Sequence, residues 1–245
     1  PMSDWLIGID DAGRGPVIGP LVVSALAIPA ADRSSLVDLG VRDSKDLTAH
    51  ARESIQESIR QLTRQRDWGI GTIVCEPARI DVNRLDSNLN SLEIELFAEA
   101  IRSAIEPDDG GMILADACDV DEARFARRLR AALGGEWAHW EIDARHGMDA
   151  TDPVAGAASI IAKVTRDAAI AEHSARLGID LGSGYPSDQR TRAALPDLLG
   201  GETPHDCLRW SWSTVSDLWQ KMHSRPVPVR SRSGGAVVQS SLDDW

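Results

Sequence analysis

Four acidic residues lie where short apolar segments end or where a helix begins. Asp10 and Asp11 end the first apolar segment, and Asp116 ends a later one. Asp149 stands just before a run of small residues. Carboxylates at strand ends can converge at one edge of a sheet, where their oxygens suit Mg²⁺ or Mn²⁺. Two such ions about 4 Å apart would hold the attacking and leaving oxygens of a phosphodiester displacement.

The spacing of these acids does not establish a metal site by itself. Acids after strands are common in turns and helix caps, and each of the four taken singly fits that structural role better. His146, three residues before Asp149, could assist a proton transfer. A histidine in an arginine-rich segment is more often a solvated surface residue, so we leave His146 out of the predicted site.

The composition is that of a globular protein. The chain has 245 residues, 42% hydrophobic and 26% charged, which is enough for one sizeable core. Its apolar stretches stop well before the roughly 20 residues that span a bilayer, and its first residues show no secretion signal. We therefore expect a cytoplasmic monomer without membrane contact. Three widely separated cysteines predict core residues and not a disulfide framework or a zinc site.

The charge balance bears on nucleic-acid binding. The chain has 26 Lys and Arg against 38 Asp and Glu, a net charge of −12, which argues against the usual basic surface of nucleic-acid binders. Divalent ions at the four acids would invert the local potential, so a few well-placed cations would suffice to hold a phosphate backbone. Local charge therefore matters more than net charge.

The order of the predicted elements indicates an α/β fold. Apolar runs predict strands over 6–10, 17–28, 68–74, 112–115 and 137–142. Helical spacing of apolar residues predicts helices over 48–64, 89–105, 121–133, 152–177, 190–199 and 213–222. Small residues at 155–159 predict that the long helix approaches a strand closely.

The composition changes near the C-terminus and suggests a division of the chain. We expect the packed domain to cover 1–222, with a helical C-terminal part from about 170. Residues 223–238 have the Pro, Ser, Arg and Gly content of a flexible linker. Residues 239–245 follow as a separate short peptide.

Four segments resemble, in the same order, the motifs of the ribonuclease HII family. The segment 8–16 (GIDDAGRGP) is similar to the opening motif, and 43–47 (DSKDL) to an Asp-Ser-Lys segment. The segment 157–167 (AASIIAKVTRD) resembles the signature helix, and 182–188 (GSGYPSD) resembles a substrate-contacting loop. The resemblance covers about residues 6–215, and the four motifs together are far more specific than a single glycine motif.

The resemblance implies a fold, an activity and a metal site. The fold is the ribonuclease H-like α/β fold, a mixed central sheet flanked by helices, with a C-terminal helical region. The activity is metal-dependent endonucleolytic cleavage of RNA in RNA/DNA hybrids, and nicking 5′ of ribonucleotides embedded in duplex DNA. The implied catalytic and metal-binding acids are Asp10, Asp11, Asp116 and Asp149. The family usually has Glu at the position of Asp11, so we expect an altered metal preference before a loss of activity.

The resemblance also implies substrate contacts. RNA differs from DNA by its 2′-hydroxyl, which the backbone amides of a glycine turn can approach, and Gly13, Arg14 and Gly15 suit this task. Tyr185, the only tyrosine, is expected against the neighbouring sugar; the alternative is a buried tyrosine bonded to the backbone. The phosphate contacts expected are Ser44, Lys45, Lys163 and Arg166. For Arg166, a structural ion pair is an equal alternative.

The last seven residues resemble the sliding-clamp-binding peptide of archaeal-type ribonuclease HII. The polar Gln239, the apolar Leu242 and the aromatic Trp245 have the corresponding spacing. One helical turn would put Leu242 and Trp245 on the same side, ready for an apolar groove. The alternative is an unstructured tail. We expect a sliding clamp as a partner, besides the nucleic acid.

Two other functions remain open from the sequence. A clamp-tethered protein that binds RNA–DNA junctions, with weak or no hydrolysis, would result if Asp11 cannot replace Glu. A ribonuclease HIII would look similar at its carboxylates, but the absence of a long domain before Leu6 makes us expect ribonuclease HII.

Overall fold

The computed structural model describes residues 4–41, 44–107, 110–232 and 236–237. Its central five-stranded sheet has the order β3-β2-β1-β4-β5. The strands are β1 (Asp4–Ala12), β2 (Leu21–Pro29), β3 (Gly69–Cys75), β4 (Gly110–Asp116) and β5 (Glu141–Arg145). β1 runs antiparallel to β2 and parallel to β4, which is itself parallel to β5. The predicted mixed sheet is confirmed.

Helices account for most of the remaining chain. Those in the described residues are α1 (Arg33–Asp38), α2 (Ala49–Gln65), α3 (Pro77–Asn83), α4 (Leu89–Ala104), α5 (Glu122–Leu133), α6 (Met148–Thr151), α7 (Pro153–Leu177), α8 (Gln189–Leu199) and α9 (Ser213–His223). The six predicted helices correspond to α2, α4, α5, α7, α8 and α9. The sequence missed α1, α3 and α6 because helices of at most seven residues are too short to show a helical period.

The chain divides into two compact units. The first is built from the residues up to Ala12, from Val22–Val74 and from Asn90–Thr165. The second is built from Gly13–Leu21, from Cys75–Leu89 and from the described residues after Arg166. The predicted single domain therefore contains two units, and α7 begins in one and ends in the other.

The core of the first unit lies between the sheet and its helices. Its fully buried side chains include Leu26, Ile28, Ile59 and Ile160, from β2, α2 and α7. A Cβ at Gly8 would lie 2.1 Å from the carbonyl carbon of Val154, so β1 and α7 pack backbone against backbone. The predicted close approach of the long helix to a strand is thus confirmed.

The second unit has its own apolar core. Buried side chains of α8 and α9 pack there with the segment that follows the glycine turn, including Val17, Ile18, Leu198 and Trp219. Ile18 also forms an isolated antiparallel bridge with Leu208. The core therefore joins residues that are far apart in the chain.

Two predicted strands differ from the structure at their N-terminal ends. The strand predicted from residue 17 begins at Leu21, because Gly19 adopts φ +84° and Pro20 lacks an N–H donor. The strand predicted from residue 137 begins at Glu141. Trp137 lies instead in a short 3₁₀ turn after Gly134, which adopts φ +86°. In both places a glycine with positive φ turns the chain ahead of the strand, two residues before β2 and seven before β5.

The packed chain does not end near Met222. A two-stranded hairpin follows, formed by β6 (Val229–Arg230) and β7 (Ala236–Val237). Arg230 is buried, and its Nε lies 2.9 Å from Oδ2 of Asp81. The predicted linker over 223–238 is therefore anchored inside its length, by a pairing between distant residues that no local composition reveals.

Within the described part of the chain, every helix is too short or too polar to cross a membrane.

Candidate active site

Three carboxylates meet at one edge of the sheet in the first unit. Asp10 lies near the end of β1, Asp116 is the last residue of β4, and Asp149 lies in α6. Each offers an oxygen within 4.8 Å of the other two. β1 and β4 are adjacent parallel strands, so their C-terminal ends reach the same edge of the sheet.

The environment of the three acids fits a divalent cation. Burial raises the pKa of Asp10 well above its usual value, and the charges of Asp11 and Asp116 raise it further. Burial also raises the pKa of Asp116, as does the charge of Asp149. Oδ1 of Asp149 is buried and has no hydrogen-bond partner among the described residues. A bound cation would offset the repulsion and occupy the unpaired oxygen.

Hydrogen bonds hold the acids in place. Oδ1 of Asp116 accepts a hydrogen bond from the backbone N of Met148 at 3.1 Å, which ties α6 to the end of β4. Oδ2 of Asp149 accepts one from Oγ of Ser159 at 3.4 Å. Lys163 Nζ donates to the same Ser159 Oγ at 2.5 Å and lies 3.8 Å from Oδ2 of Asp149.

Ser159 is a site residue that the sequence analysis missed. It stands four residues before Lys163, so the two side chains share one face of α7. That spacing, ahead of a predicted lysine contact, was a usable signal. Ser159 is fully buried, and its hydroxyl connects the lysine to the acid cluster.

Both predicted phosphate-contacting lysines act electrostatically on these acids. Although burial raises the pKa of Asp10, the positive charge of Lys163 partly lowers it. Lys45 has the same lowering effect on the pKa of Asp116. Lys45 is exposed in the short turn Ser44–Asp46. Asp43, from the same motif, lies outside the described residues.

Asp11 is not part of the three-carboxylate cluster. Successive residues of a strand point to opposite faces, so Asp11 and its neighbour Asp10 cannot both project from β1 in the same direction. Asp11 is half-buried, and its charge still contributes to the raised pKa of Asp10. The structure therefore brings together three of the four predicted acids.

The glycine turn belongs to the second unit. Gly13 is buried with φ +95°, and a Cβ there would lie 2.4 Å from Nε of Arg166. Gly15 is exposed, and a Cβ there would lie 3.5 Å from the ring of Tyr185. The turn requires glycine at its first position and borders Tyr185 at its third.

Tyr185 and Arg166 lie next to the glycine turn. Tyr185 is 40% exposed, which rules out the alternative of a buried tyrosine. Arg166 is only 4% exposed, and its guanidinium carbon lies 5.4 Å from the centre of the tyrosine ring. Its Nη2 donates to the carbonyl oxygen of Ser183 at 2.9 Å. This placement favours a supporting role for Arg166 over the predicted phosphate contact or ion pair.

Asp188 fixes the loop that carries Tyr185. Its Oδ2 accepts a hydrogen bond from the backbone N of Ser183 at 2.8 Å, and its Oδ1 accepts one from Arg190 N at 2.9 Å. These bonds lower the pKa of Asp188 to about 2. Thr191 Oγ1 also accepts from Gly184 N at 3.0 Å, so both ends of the loop are tied to α8.

The mixed sheet and its acidic edge define a metal-dependent nuclease with the ribonuclease H-like fold. The family model for ribonuclease HII matches residues 7–215. The chain belongs to the ribonuclease HII family, and it is a ribonuclease H that uses a divalent metal. This membership favours the nuclease over the junction-binding alternative.

Relatives from archaea cover nearly the whole chain. Ribonuclease HII of Thermococcus kodakarensis is 41% identical over 222 residues, 89% of this chain and 91% of that protein. The structure of ribonuclease H2 from Pyrococcus horikoshii has a TM-score of 0.77 at 36% identity, covering 90% of this chain and 100% of that one. The ribonuclease HII in a complex with PCNA from Archaeoglobus fulgidus has a TM-score of 0.74 at 34% identity, covering 98% and 100%.

The residues of the predicted clamp-binding peptide, Gln239, Leu242 and Trp245, lie outside the described residues.

Proposed function

We propose that the protein nicks duplex DNA on the 5′ side of embedded ribonucleotides and cleaves the RNA strand of RNA/DNA hybrids. The observation that carries this proposal is the cluster of Asp10, Asp116 and Asp149, whose oxygens lie within 4.8 Å of one another. Such a reaction belongs to a cytoplasmic enzyme of ribonucleotide removal, and we propose that it acts as a monomer.

The three acids bind the metal, and Ser159 and Lys163 hold one of these acids in place. Asp10, Asp116 and Asp149 hold Mg²⁺ or Mn²⁺. An ion bound there would supply Lewis-acid chemistry, that is, an activated water and a positive charge to offset the negative charge at the leaving oxygen. Ser159 and Lys163 engage Oδ2 of Asp149, which leaves its unpaired Oδ1 for the metal.

The remaining charged residues of the first unit act on the substrate and the metal. Lys45 and Lys163 offer positive charge to the phosphate backbone, with Ser44 as a further contact. Asp11 contributes a fourth negative charge beside Asp10, although it is not a member of the cluster. Its side chain is one methylene shorter than the Glu usual in the family, so it tunes the choice between Mg²⁺ and Mn²⁺.

The second unit reads the sugar. The backbone amides of Gly13, Arg14 and Gly15 approach the 2′-hydroxyl, the group that distinguishes RNA from DNA. Tyr185 lies against the neighbouring sugar; its 40% exposure beside Gly15 supports this role. Arg166 supports the turn and the tyrosine from beneath.

The C-terminal peptide recruits a sliding clamp. This proposal is supported by the structure of a ribonuclease HII in complex with PCNA from Archaeoglobus fulgidus. The similarity to that structure covers 98% of this chain. Gln239, Leu242 and Trp245 are the proposed contacts, with Trp245 as the main anchor. A Trp245→Ala protein should lose clamp binding in a pull-down with the sliding clamp of its own organism and still cleave short duplexes as well as wild type. Equal clamp binding by both proteins would contradict this role.

The central test is cleavage of a labelled DNA duplex that carries one ribonucleotide, with Mg²⁺ or Mn²⁺. Wild type should leave a nick 5′ to the ribonucleotide, and Asp10→Asn and Asp149→Asn should lose it. Asp197→Asn is the matched control, because Asp197 is an exposed acid on α8 outside the cluster. Binding of the duplex without any nick would overturn the proposal in favour of a junction-binding protein.

A further inference from the structure

Arg209 is fully buried, and its guanidinium binds the backbone of the glycine turn. Nη2 donates to the carbonyl oxygen of Gly13 at 2.6 Å, and Nη1 donates to that of Arg14 at 3.0 Å. Nε donates to the carbonyl oxygen of Gly19 at 3.0 Å. One side chain therefore holds both ends of the segment 13–19, using the fixed fork of donors that only arginine offers.

Trp212 extends the same set of contacts. Its Nε1 donates to the carbonyl oxygen of Gly15 at 3.3 Å, and the guanidinium carbon of Arg209 lies 4.9 Å from its ring centre. Three successive carbonyls, from residues 13, 14 and 15, thus accept hydrogen bonds from two side chains of one short segment.

This arrangement determines where the amides of the turn point. The described residues contain no cis peptide bond, and in a trans peptide the N–H points opposite to the C=O. Holding the carbonyls of Gly13 and Arg14 therefore directs the N–H groups of Arg14 and Gly15 away from Arg209. The next residue, Pro16, has no N–H. These two N–H groups therefore point to the face away from Arg209, and Gly15 is exposed.

Asp81 holds the backbone of the segment that carries Arg209 and Trp212. Asp81 is buried; its Oδ2 accepts from Trp210 N at 2.9 Å, and its Oδ1 accepts from Ser211 N at 3.0 Å. No carboxylate of the described residues lies within ion-pair distance of Arg209. Burial accordingly lowers the pKa of Arg209 to about 10. The buried positive charge is satisfied by turn carbonyls and not by an acid.

We propose that Arg209 and Trp212 are positioning residues for ribonucleotide recognition: by fixing the turn carbonyls, they aim the amides of Arg14 and Gly15 at the 2′-hydroxyl. The inference rests on the proposed function, because it assumes that this turn reads the sugar. It adds two residues, nearly two hundred positions downstream, that set the selectivity for RNA over DNA without touching the substrate.

The test measures selectivity in binding. In an Asp149→Asn background, which blocks cleavage, the Kd is measured with Mg²⁺ for a DNA duplex with one ribonucleotide and for the all-DNA duplex. The ratio of the two affinities should fall about tenfold in Arg209→Lys, because one ammonium cannot replace three directed donors. The affinity for all-DNA duplex should not change. Arg225→Lys, at an exposed arginine of the same unit, should keep the wild-type ratio.

A purely structural role would lower the melting temperature of Arg209→Lys and leave the affinity ratio unchanged, which would overturn the inference. If Arg209→Lys does not fold, Trp212→Phe decides, because it keeps an aromatic ring near Arg209 and removes the N–H donor to Gly15 together with part of the indole. The ratio should then fall about threefold, and an unchanged ratio overturns the inference. A wild-type protein without preference for the ribonucleotide would instead contradict the proposed function itself.

Discussion

Gly13 and Arg166 are packed so closely that a Cβ on the glycine would lie 2.4 Å from the arginine Nε. Gly13 also has φ +95°, a backbone conformation that only glycine adopts without strain. Arg166 in turn supports Tyr185: its guanidinium carbon lies 5.4 Å from the centre of the tyrosine ring. The glycine turn and the tyrosine loop are therefore coupled through one buried arginine.

A Gly13→Ala substitution should reduce kcat/KM for a ribonucleotide-containing duplex by about a hundredfold. The methyl group would displace Arg166 and shift the turn amides, and both changes affect the group that reads the sugar. Gly40→Ala is the matched control, because Gly40 has φ +80° but no atom within 4 Å of the Cβ position. The control should lose some stability and keep its activity. Equal activity losses in both variants would mean that backbone strain, and not the contact with Arg166, is responsible.

A Ser159→Ala substitution should lower kcat about tenfold and raise the metal concentration needed for half-maximal activity. The serine hydroxyl joins Lys163 to Oδ2 of Asp149, and hydrogen bonds to charged groups contribute about 1.5–3 kcal/mol. Ser58→Ala on α2 is the control, because Ser58 bonds only the backbone of its own helix turn. A metal titration of cleavage rates checks the prediction, and an unchanged titration in Ser159→Ala would refute it.

The sequence predicted the sheet, six helices and the acids of the cluster because these depend on local patterns. Strand ends, helical periods and family motifs are all short-range features. It could not predict that Arg209 holds the carbonyls of Gly13 and Arg14, or that Asp81 pairs with Arg230, because these partners are distant in the chain. The position of Asp11 outside the cluster could have been predicted, since neighbouring residues of a strand point to opposite faces.

An Asp188→Asn substitution should lower the melting temperature at pH 7, and the difference from wild type should shrink in acid. The pKa of Asp188 falls from 3.8 to about 2 on folding, so the folded state binds fewer protons than the unfolded state. Its contribution to the free energy of unfolding is complete above pH 3.8 and is lost as the pH falls toward 2. Thermal melts from pH 7 to pH 3 measure this, with Asp197→Asn as an exposed control on α8. A constant difference across this range would exclude the ionised carboxylate as its source.

Mg²⁺ or Mn²⁺ should raise the melting temperature of wild type, and Asp149→Asn should remove most of that increase. A ligand that binds only the folded state stabilises it in proportion to the logarithm of its concentration over Kd.

Without metal, Asp10→Asn should melt higher than wild type at pH 7, because burial raises the pKa of Asp10 and its ionised form is unfavourable in the folded state. This advantage should decrease as the pH falls through the raised pKa of Asp10 toward 3.8, because the folded protein then carries this carboxyl in its protonated form. An Asp10→Asn protein less stable than wild type without metal would contradict the repulsion inferred for the cluster.

An Asp11→Glu substitution should change the ratio of activities with Mg²⁺ and Mn²⁺ more than it changes the higher of the two. Asp11 stands outside the cluster of Asp10, Asp116 and Asp149, so the added methylene extends its reach without disturbing these three acids. Mg²⁺ demands near-ideal octahedral geometry and is the ion more sensitive to a misplaced carboxylate. Cleavage rates with each ion, measured beside Asp11→Asn, test this. A large increase with both ions would show that the natural aspartate limits catalysis itself, and the protein would then be a poor nuclease whose main task is binding.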